Sequence, residues 1–323
     1  ATISGSGSKL TSALAFDVGK AGTGTLNVTD GGAVDIGGTF TVGRDSSGSG
    51  TVTISGNGSK LTATDKTYIA RNGNGTLNIT DGAEAVFTRG PYLSRAGDAT
   101  GTITISGPGS KLTADGFTVV GIIGTGVLSI NDGGTAEVGS MSIAAFSGTA
   151  QGSVTVSGAG SALTATRTGS SFDVGSAGIG TLSISDGGKV AVASSTLLGA
   201  TTTGSGTVTI SGDGSKLTSA DNISVGERGA GTLNVTDGGE AASSKNVYFG
   251  NNVGASGTAT ISGSGSKLMA ASALDVGKLG TGTLNVSNGG YVDTGNIFRI
   301  GNASTGSGTV MISGAGSKIK NIF

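Results

Sequence analysis

The chain repeats itself every 51 residues, and that period decides what it can fold into. The phrase Ile3-Ser4-Gly5-Ser6-Gly7-Ser8-Lys9-Leu10 returns with its lead residue at Ile54, Ile105, Val156, Ile210, Ile261 and Ile312, in steps of 51, 51, 51, 54, 51 and 51. A second phrase, Thr25-Leu26-Asn27-Val28-Thr29-Asp30-Gly31-Gly32, recurs from Leu26 at Leu77, Leu128, Leu182, Leu233 and Leu284 with the same steps. A fixed period of this size marks an array of stacked repeats rather than a globule around one pocket.

Each repeat has two similar halves. Thr25-Leu26-Asn27-Val28 aligns with Thr51-Val52-Thr53-Ile54, 26 residues on, and Leu77 follows 25 residues after Val52. The physical element is therefore one turn of about 25 residues. Within it, three short stretches alternate with the period of two that marks strands. They are exemplified by Thr25–Val28, Val34–Ile36 and Phe40–Val42. Clusters of Gly, Ser, Asn and Asp separate them, as turns require. No helical period is present, and β-branched residues dominate the strands. The sequence predicts an all-β fold: a single-stranded parallel β-helix (β-solenoid) with three strands per turn and about 12 turns.

The inward ladder of the first strand is Leu26/Val28, Val52/Ile54, Leu77/Ile79, Ile103/Ile105, Leu128/Ile130, Val154/Val156, Leu182/Ile184, Val208/Ile210, Leu233/Val235, Ala259/Ile261, Leu284/Val286 and Val310/Ile312. At roughly 4.8 Å per rung, twelve rungs give an expected length of about 58 Å. A lone turn could not offset its ordering entropy, whereas stacked turns can. One solenoid domain is expected over 1–323: a partial repeat 1–24, repeats at about 25–75, 76–126, 127–180, 181–231 and 232–282, and an incomplete one at 283–323. Because the chain begins at Ala1 in mid-phrase, it reads as a processed or excised part of a longer polypeptide.

Composition narrows the function classes. The formal net charge is −1, so nothing points to nucleic acid or an anionic membrane as partner. Cys and His are both absent, which removes disulfides, thiolate metal sites and the commonest general base. No apolar run approaches the roughly 20 residues of a transmembrane helix. No catalytic residue, cofactor site or metal site is expected.

Lysines form a file at Lys9, Lys60, Lys111, Lys216, Lys267 and Lys318, and aspartates another at Asp30, Asp81, Asp132, Asp186 and Asp237. Both read as solvated edge charges that discourage sideways aggregation. Members lie two turns apart, about 9.6 Å, so screening at physiological salt would make their repulsion tolerable. The Gly-Ser-Gly-Ser-Lys run has the wrong order for a phosphate loop, and no helix follows it. The outward face of the first strand carries a hydroxyl array: Thr25, Thr51, Thr76, Thr102, Thr181, Thr207, Thr232, Thr258, Thr283 and Thr309. Such an array resembles the surface of ice-binding β-solenoids, although Val127, Ser153 and Met311 interrupt its columns.

Departures from the repeat are the candidate recognition sites, neutral drift of the repeat being the other account of them. One is Arg89, Tyr92 and Arg95 around Pro91, where the local strand should be disturbed. The other is a three-residue insertion within Leu163–Ser171 that carries Arg167, since solenoid insertions form loops that often bind.

Laid out in full, the repeat resembles that of autotransporter (type V secretion) passenger domains, also found in PEP-CTERM-associated surface proteins. The matching residues are Gly24–Gly32, Phe40-Thr41-Val42-Gly43 and Gly50–Leu61. The resemblance implies a right-handed β-helix exported across a bacterial envelope and displayed on the outer surface or released. The family fold carries adhesins, self-associating proteins and, less often, enzymes; the repeat and the lack of a catalytic cluster point to a non-enzymatic structural or adhesive rod, partnered by itself, end to end or laterally, or by a surface or matrix ligand. End-to-end filament assembly is expected from Ala1-Thr2-Ile3 and Val310-Met311-Ile312, which stop in the same phase. The alternatives are ice binding through the Thr array and a polysaccharide-acting β-helix enzyme. The latter needs convergent carboxylates on one groove, and the sequence offers Asp and Lys only in files.

Overall fold

The computed structural model describes residues 1–321. The chain forms two compact units. Unit 1 comprises Ala1–Thr155 with Gly160–Thr166, and unit 2 comprises Val156–Ala159 with Arg167 onward. All regular elements among the described residues are β-strands. In both units each strand pairs in parallel with its counterpart one turn away, which makes each a β-solenoid.

In unit 1 the first sheet runs through Thr2–Ser4, Thr23–Thr29, Ser49–Ser55, Asn74–Thr80, Thr100–Ser106 and Thr125–Asn131. Its register aligns Leu26, Val52, Leu77, Ile103 and Leu128. The second and third strands are separate in the turn made by Ala33–Ile36 and Phe40–Val42, where Gly37-Gly38 intervenes. They fuse into single long strands in Lys60–Ile69, Glu84–Leu93, Lys111–Val120 and Thr135–Ile143.

In unit 2 the first sheet runs through Ile179–Ser185, Ser205–Ser211, Ala230–Thr236, Ser256–Ser262, Thr281–Ser287 and Ser307–Ser313. Here the second and third strands stay separate. The bend between them carries Asn222 and Asn246 in successive turns. The Asn222 side-chain oxygen accepts from the Asn246 backbone N–H and side-chain amide at 3.2 and 2.9 Å, and the Asn246 oxygen accepts from Ala273 N–H at 3.1 Å. This ladder satisfies corner amides that a sharp bend would otherwise leave without partners.

The interior of each unit is the expected ladder. Leu77, Ile79, Leu233 and Val235 are fully buried, and Phe40, Phe87, Phe172 and Phe249 are the bulkiest side chains inside. Burial of each aliphatic side chain contributes on the order of 1.5–3 kcal/mol, so an interior turn, covered on both sides, outweighs its ordering cost where a lone turn would not.

Two backbone devices close each turn. Glycine near the start of the first strand lets it lie against the third strand: a Cβ on Gly50 would sit 2.2 Å from the carbonyl oxygen of Val18. In every second turn the corner after the first strand is an Asp-Gly or Asn-Gly pair with positive φ at both residues, as at Asp30 (55°) and Gly31 (84°), and in the turns between it holds two positive-φ glycines, as at Gly56 (88°) and Gly58 (80°). Asp and Gly are the residues that tolerate this conformation.

Gly50→Ala should therefore lower the thermal unfolding temperature by several degrees, since overpacking costs about 1–3 kcal/mol. Gly22→Ala, where nothing lies within 4 Å, should stay within about 0.5 kcal/mol of wild type. Equal effects of the two, read by circular dichroism melting, would contradict this account of the glycine column.

Candidate functional site

The register that stacks the core also aligns every outward side chain into columns. On the first sheet of unit 1, Thr25, Thr51, Thr76 and Thr102 are cross-strand neighbours, followed by Val127. In unit 2, Thr181, Thr207, Thr232, Thr258, Thr283 and Thr309 form an unbroken column. The flanking outward columns hold Thr, Ser and Asn for the most part, and none of these first-sheet strands carries a charged residue.

The charge files do more than the sequence suggested. The aspartates are corner residues held at positive φ: Asp81 at 56°, Asp132 at 53°, Asp186 at 54° and Asp237 at 53°. Each accepts a hydrogen bond from a serine hydroxyl of the preceding turn, such as Ser55 to Asp81 at 2.6 Å and Ser211 to Asp237 at 3.1 Å. The bond from Ser55, with a second from Thr80, holds the Asp81 carboxyl below its ordinary range. Four of the six lysines are ion-paired: Lys9 with Asp35 at 2.6 Å, Lys60 with Glu84 at 2.8 Å, Lys111 with Glu137 at 3.3 Å and Lys216 with Glu240 at 2.8 Å. Glu84 stands in register between Lys60 and Lys111. Opposite charges one turn apart, rather than screening of like charges two turns apart, therefore stabilise this edge, though exposed pairs contribute only about 0–1 kcal/mol each.

Sequence variation concentrates on the third sheet and the corner that follows it. In unit 1 the middle residues of the third strands form the column Asp17, Thr41, Tyr68, Tyr92, Val119. The corner has positive φ at Gly43, Ala70 and Ser94, and the next residue in each case is an arginine, Arg44, Arg71 or Arg95. Arg44 pairs with Asp17 at 2.6 Å, and Arg71 lies 5.6 Å from the centroid of the Tyr68 ring. The Tyr68 and Tyr92 rings are 5.6 Å apart and tilted by 34°. Arg89 is exposed and reaches Asp65 at 3.6 Å. The disturbance expected at Pro91 takes the form of two register shifts, between Phe87 and Arg89 and between Arg89 and Tyr92, within a strand that stays continuous. Unit 1 thus carries Arg89 and Tyr92 on one long strand and Arg95 in the corner that follows it, together with Tyr68 and Arg71 one turn earlier, which sequence reading passed over.

In unit 2 the same column reads Asp173, Leu197, Ser224, Tyr248, Asp275, Arg299. Beside it lies a cavity of about 330 Å³ lined by Gly169, Ser171, Leu197, Asn222, Ser224, Glu227, Tyr248 and Asn251, with Ser194 and Ser195. Gly169 and Ser171 belong to the segment that carries the three-residue insertion. Arg167 lies in that segment and is exposed. The corner residues Glu227, Asn251 and Lys278 interlock with the column. Ser224 and Asn251 each donate to Glu227 at 2.6 Å, and Asn252 donates to it at 3.0 Å. Lys278 donates to the Asn251 side-chain oxygen at 2.9 Å and sits 3.9 Å over the Tyr248 ring. Asp275 is fully buried and held by Arg299 at 2.5 and 2.9 Å.

This cluster corrects the reading that acidic residues occur only in files. Burial pushes the Asp173 carboxyl above its usual range; the bond from Ser171 opposes this and the charge of Glu227 adds to it. The Asp173 Oδ1 atom is buried without a hydrogen-bond partner. Burial, followed by the charge of Asp275, likewise raises the Tyr248 phenol. A comparison of turns position by position would have found the site: its middle residue changes at every turn, whereas the first strand repeats. Among the described residues, no group of three or more Asp or Glu is arranged to hold a metal ion. No helix there is long and apolar enough to cross a membrane.

In sequence the chain is similar to an autotransporter adhesin and to a bacterial lipoprotein. The Adhesin BmaC autotransporter of Brucella suis biovar 1 (strain 1330) is 36% identical over 134 residues, which cover 39% of this chain and 4% of that protein. The uncharacterized lipoprotein YdeK of Escherichia coli (strain K12) is 30% identical over 323 residues, 95% of this chain and 24% of that protein. The chain thus spans about a quarter or less of the curated relatives it matches. Among solved structures, the TibC-catalyzed hyper-glycosylated TibA fragment is 19% identical, with a TM-score of 0.44, covering 98% of this chain and 95% of that one. No protein-family model matches.

Because the folded Asp173 carboxyl lies above its unfolded value, its ionisation costs stability. The cost is absent well below pH 3.8 and grows as pH rises through that value. Asp173→Asn should raise the unfolding temperature at pH 7 and leave it unchanged near pH 3. A loss of stability at pH 7 would contradict the assignment.

Proposed function

We propose that this chain is a non-enzymatic, adhesive β-solenoid segment of a protein displayed on or released from a bacterial cell surface. It acts in adhesion, self-association or matrix formation. The observation that carries the reading is the similarity to the BmaC adhesin autotransporter, joined to a solenoid that aligns its outward residues in columns. The uncharged first sheet suits lateral contact between copies or with a polar surface. The third sheet, where residues vary from turn to turn, suits recognition. A structural role for the carboxylates of unit 2 is supported by Glu227, whose carboxylate accepts from Ser224, Asn251 and Asn252.

One observation favours a second reading. The unbroken threonine column of unit 2 is the kind of regular array that orders water, as an ice-binding surface does. Thermal hysteresis in a solution of the purified chain would support it, and its absence would remove it.

The adhesive reading predicts that a non-adherent bacterium displaying the chain on its surface will attach to abiotic or cell surfaces, or clump, severalfold more than the same strain displaying an unrelated solenoid. Equal attachment and equal clumping of the two strains would overturn it.

A further inference from the structure

The cavity in unit 2 has a chemistry that the adhesive reading leaves unassigned. We propose that it is a subsite for one or two neutral sugar residues of a polysaccharide or glycan. This deepens the adhesive reading and rests on it for its biological sense, while the binding itself is measurable on the isolated chain.

A neutral sugar presents hydroxyls in pairs along its edge and C–H groups on its ring face. Recognition therefore calls for flat side chains that donate and accept together, set against an apolar or aromatic wall. The cavity supplies both. Tyr248 and Leu197 are the apolar wall, and Asn222, Asn251, Ser171 and Ser224 are the polar one. Its volume of about 330 Å³ lies at the lower end of small-molecule sites, which start at about 300 Å³.

The charge pattern selects among sugars. Glu227 is the one charged residue lining the cavity, so an acidic sugar would meet a negative charge at its wall. Lys278 is turned onto the Tyr248 ring and the Asn251 side-chain oxygen.

The walls are also held in place before any ligand arrives. Asn251 is bonded to both Glu227 and Lys278, and the Asn222 side-chain oxygen is fixed by Asn246. Groups fixed in this way lose little freedom on binding.

The test uses the purified chain against immobilised oligosaccharides, one set built of neutral hexoses and N-acetylhexosamines and one containing uronic acids, with titration calorimetry on those that bind. The ring resonances of Tyr248, one of only four tyrosines, are followed by NMR in the same titrations. We expect binding to neutral members, a shift of the Tyr248 ring signals, and at least tenfold weaker binding in Tyr248→Ala and in Leu197→Arg. The ring shift in wild type keeps the test open should either variant fail to fold. Binding confined to uronic acids, binding retained in both folded variants, no movement of the Tyr248 signals, or no binding at all would each overturn the proposal. Sugar binding without adhesion of displaying cells would remove the adhesive reading and leave the subsite. Adhesion without neutral-sugar binding would do the reverse.

Discussion

Everything in this structure depends on the parallel stacking of aliphatic rungs. Each turn has an apolar stripe too narrow to form a core by itself, and only the turns above and below complete it. Leu182, Val208 and Leu233 meet in register, and all three are buried. The glycine column that lets the first strand approach the third, and the positive-φ corners, serve that stacking by keeping each circuit closed and of nearly constant length.

The same register has a consequence on the outside. If inward residues align, outward residues align too, so a solenoid displays side chains as columns whether or not a column has a use. Two kinds result. The first sheet repeats its Thr, Ser and Asn residues and carries no charge. The third sheet changes residue at nearly every turn, and in unit 2 the corner residue beside it changes as well. Pairs such as Arg44 with Asp17 and Lys278 with Tyr248 show the two variable columns reaching across one turn. New chemistry there leaves the ladder intact, because the residues on either side of each variable position still point inward.

The ladder and the three-strand turn were legible because they rest on period-two alternation repeated at fixed spacing, the strongest local signal a strand gives. The hydroxyl array followed from the same alternation. The cavity of unit 2 was not legible, because its residues come from successive turns and each looks like drift when read alone. Only the insertion near Arg167 hinted at it, through Gly169 and Ser171. The aspartate file was read as surface charge because positive φ leaves no mark in composition, although the invariable following glycine was the clue. The lysine file was read without its partners because Asp35 and Glu84 lie about one turn onward, in phrases that vary more than the lysine phrase does.

The stacking claim is tested most directly by methyl–methyl nuclear Overhauser effects in the intact, methyl-labelled chain. The account predicts cross-peaks linking the methyls of Leu182 to Val208, Val208 to Leu233, and Leu233 to Ala259, residues about 25 apart that the register places side by side. Their absence, or cross-peaks joining first strands in antiparallel order, would contradict it.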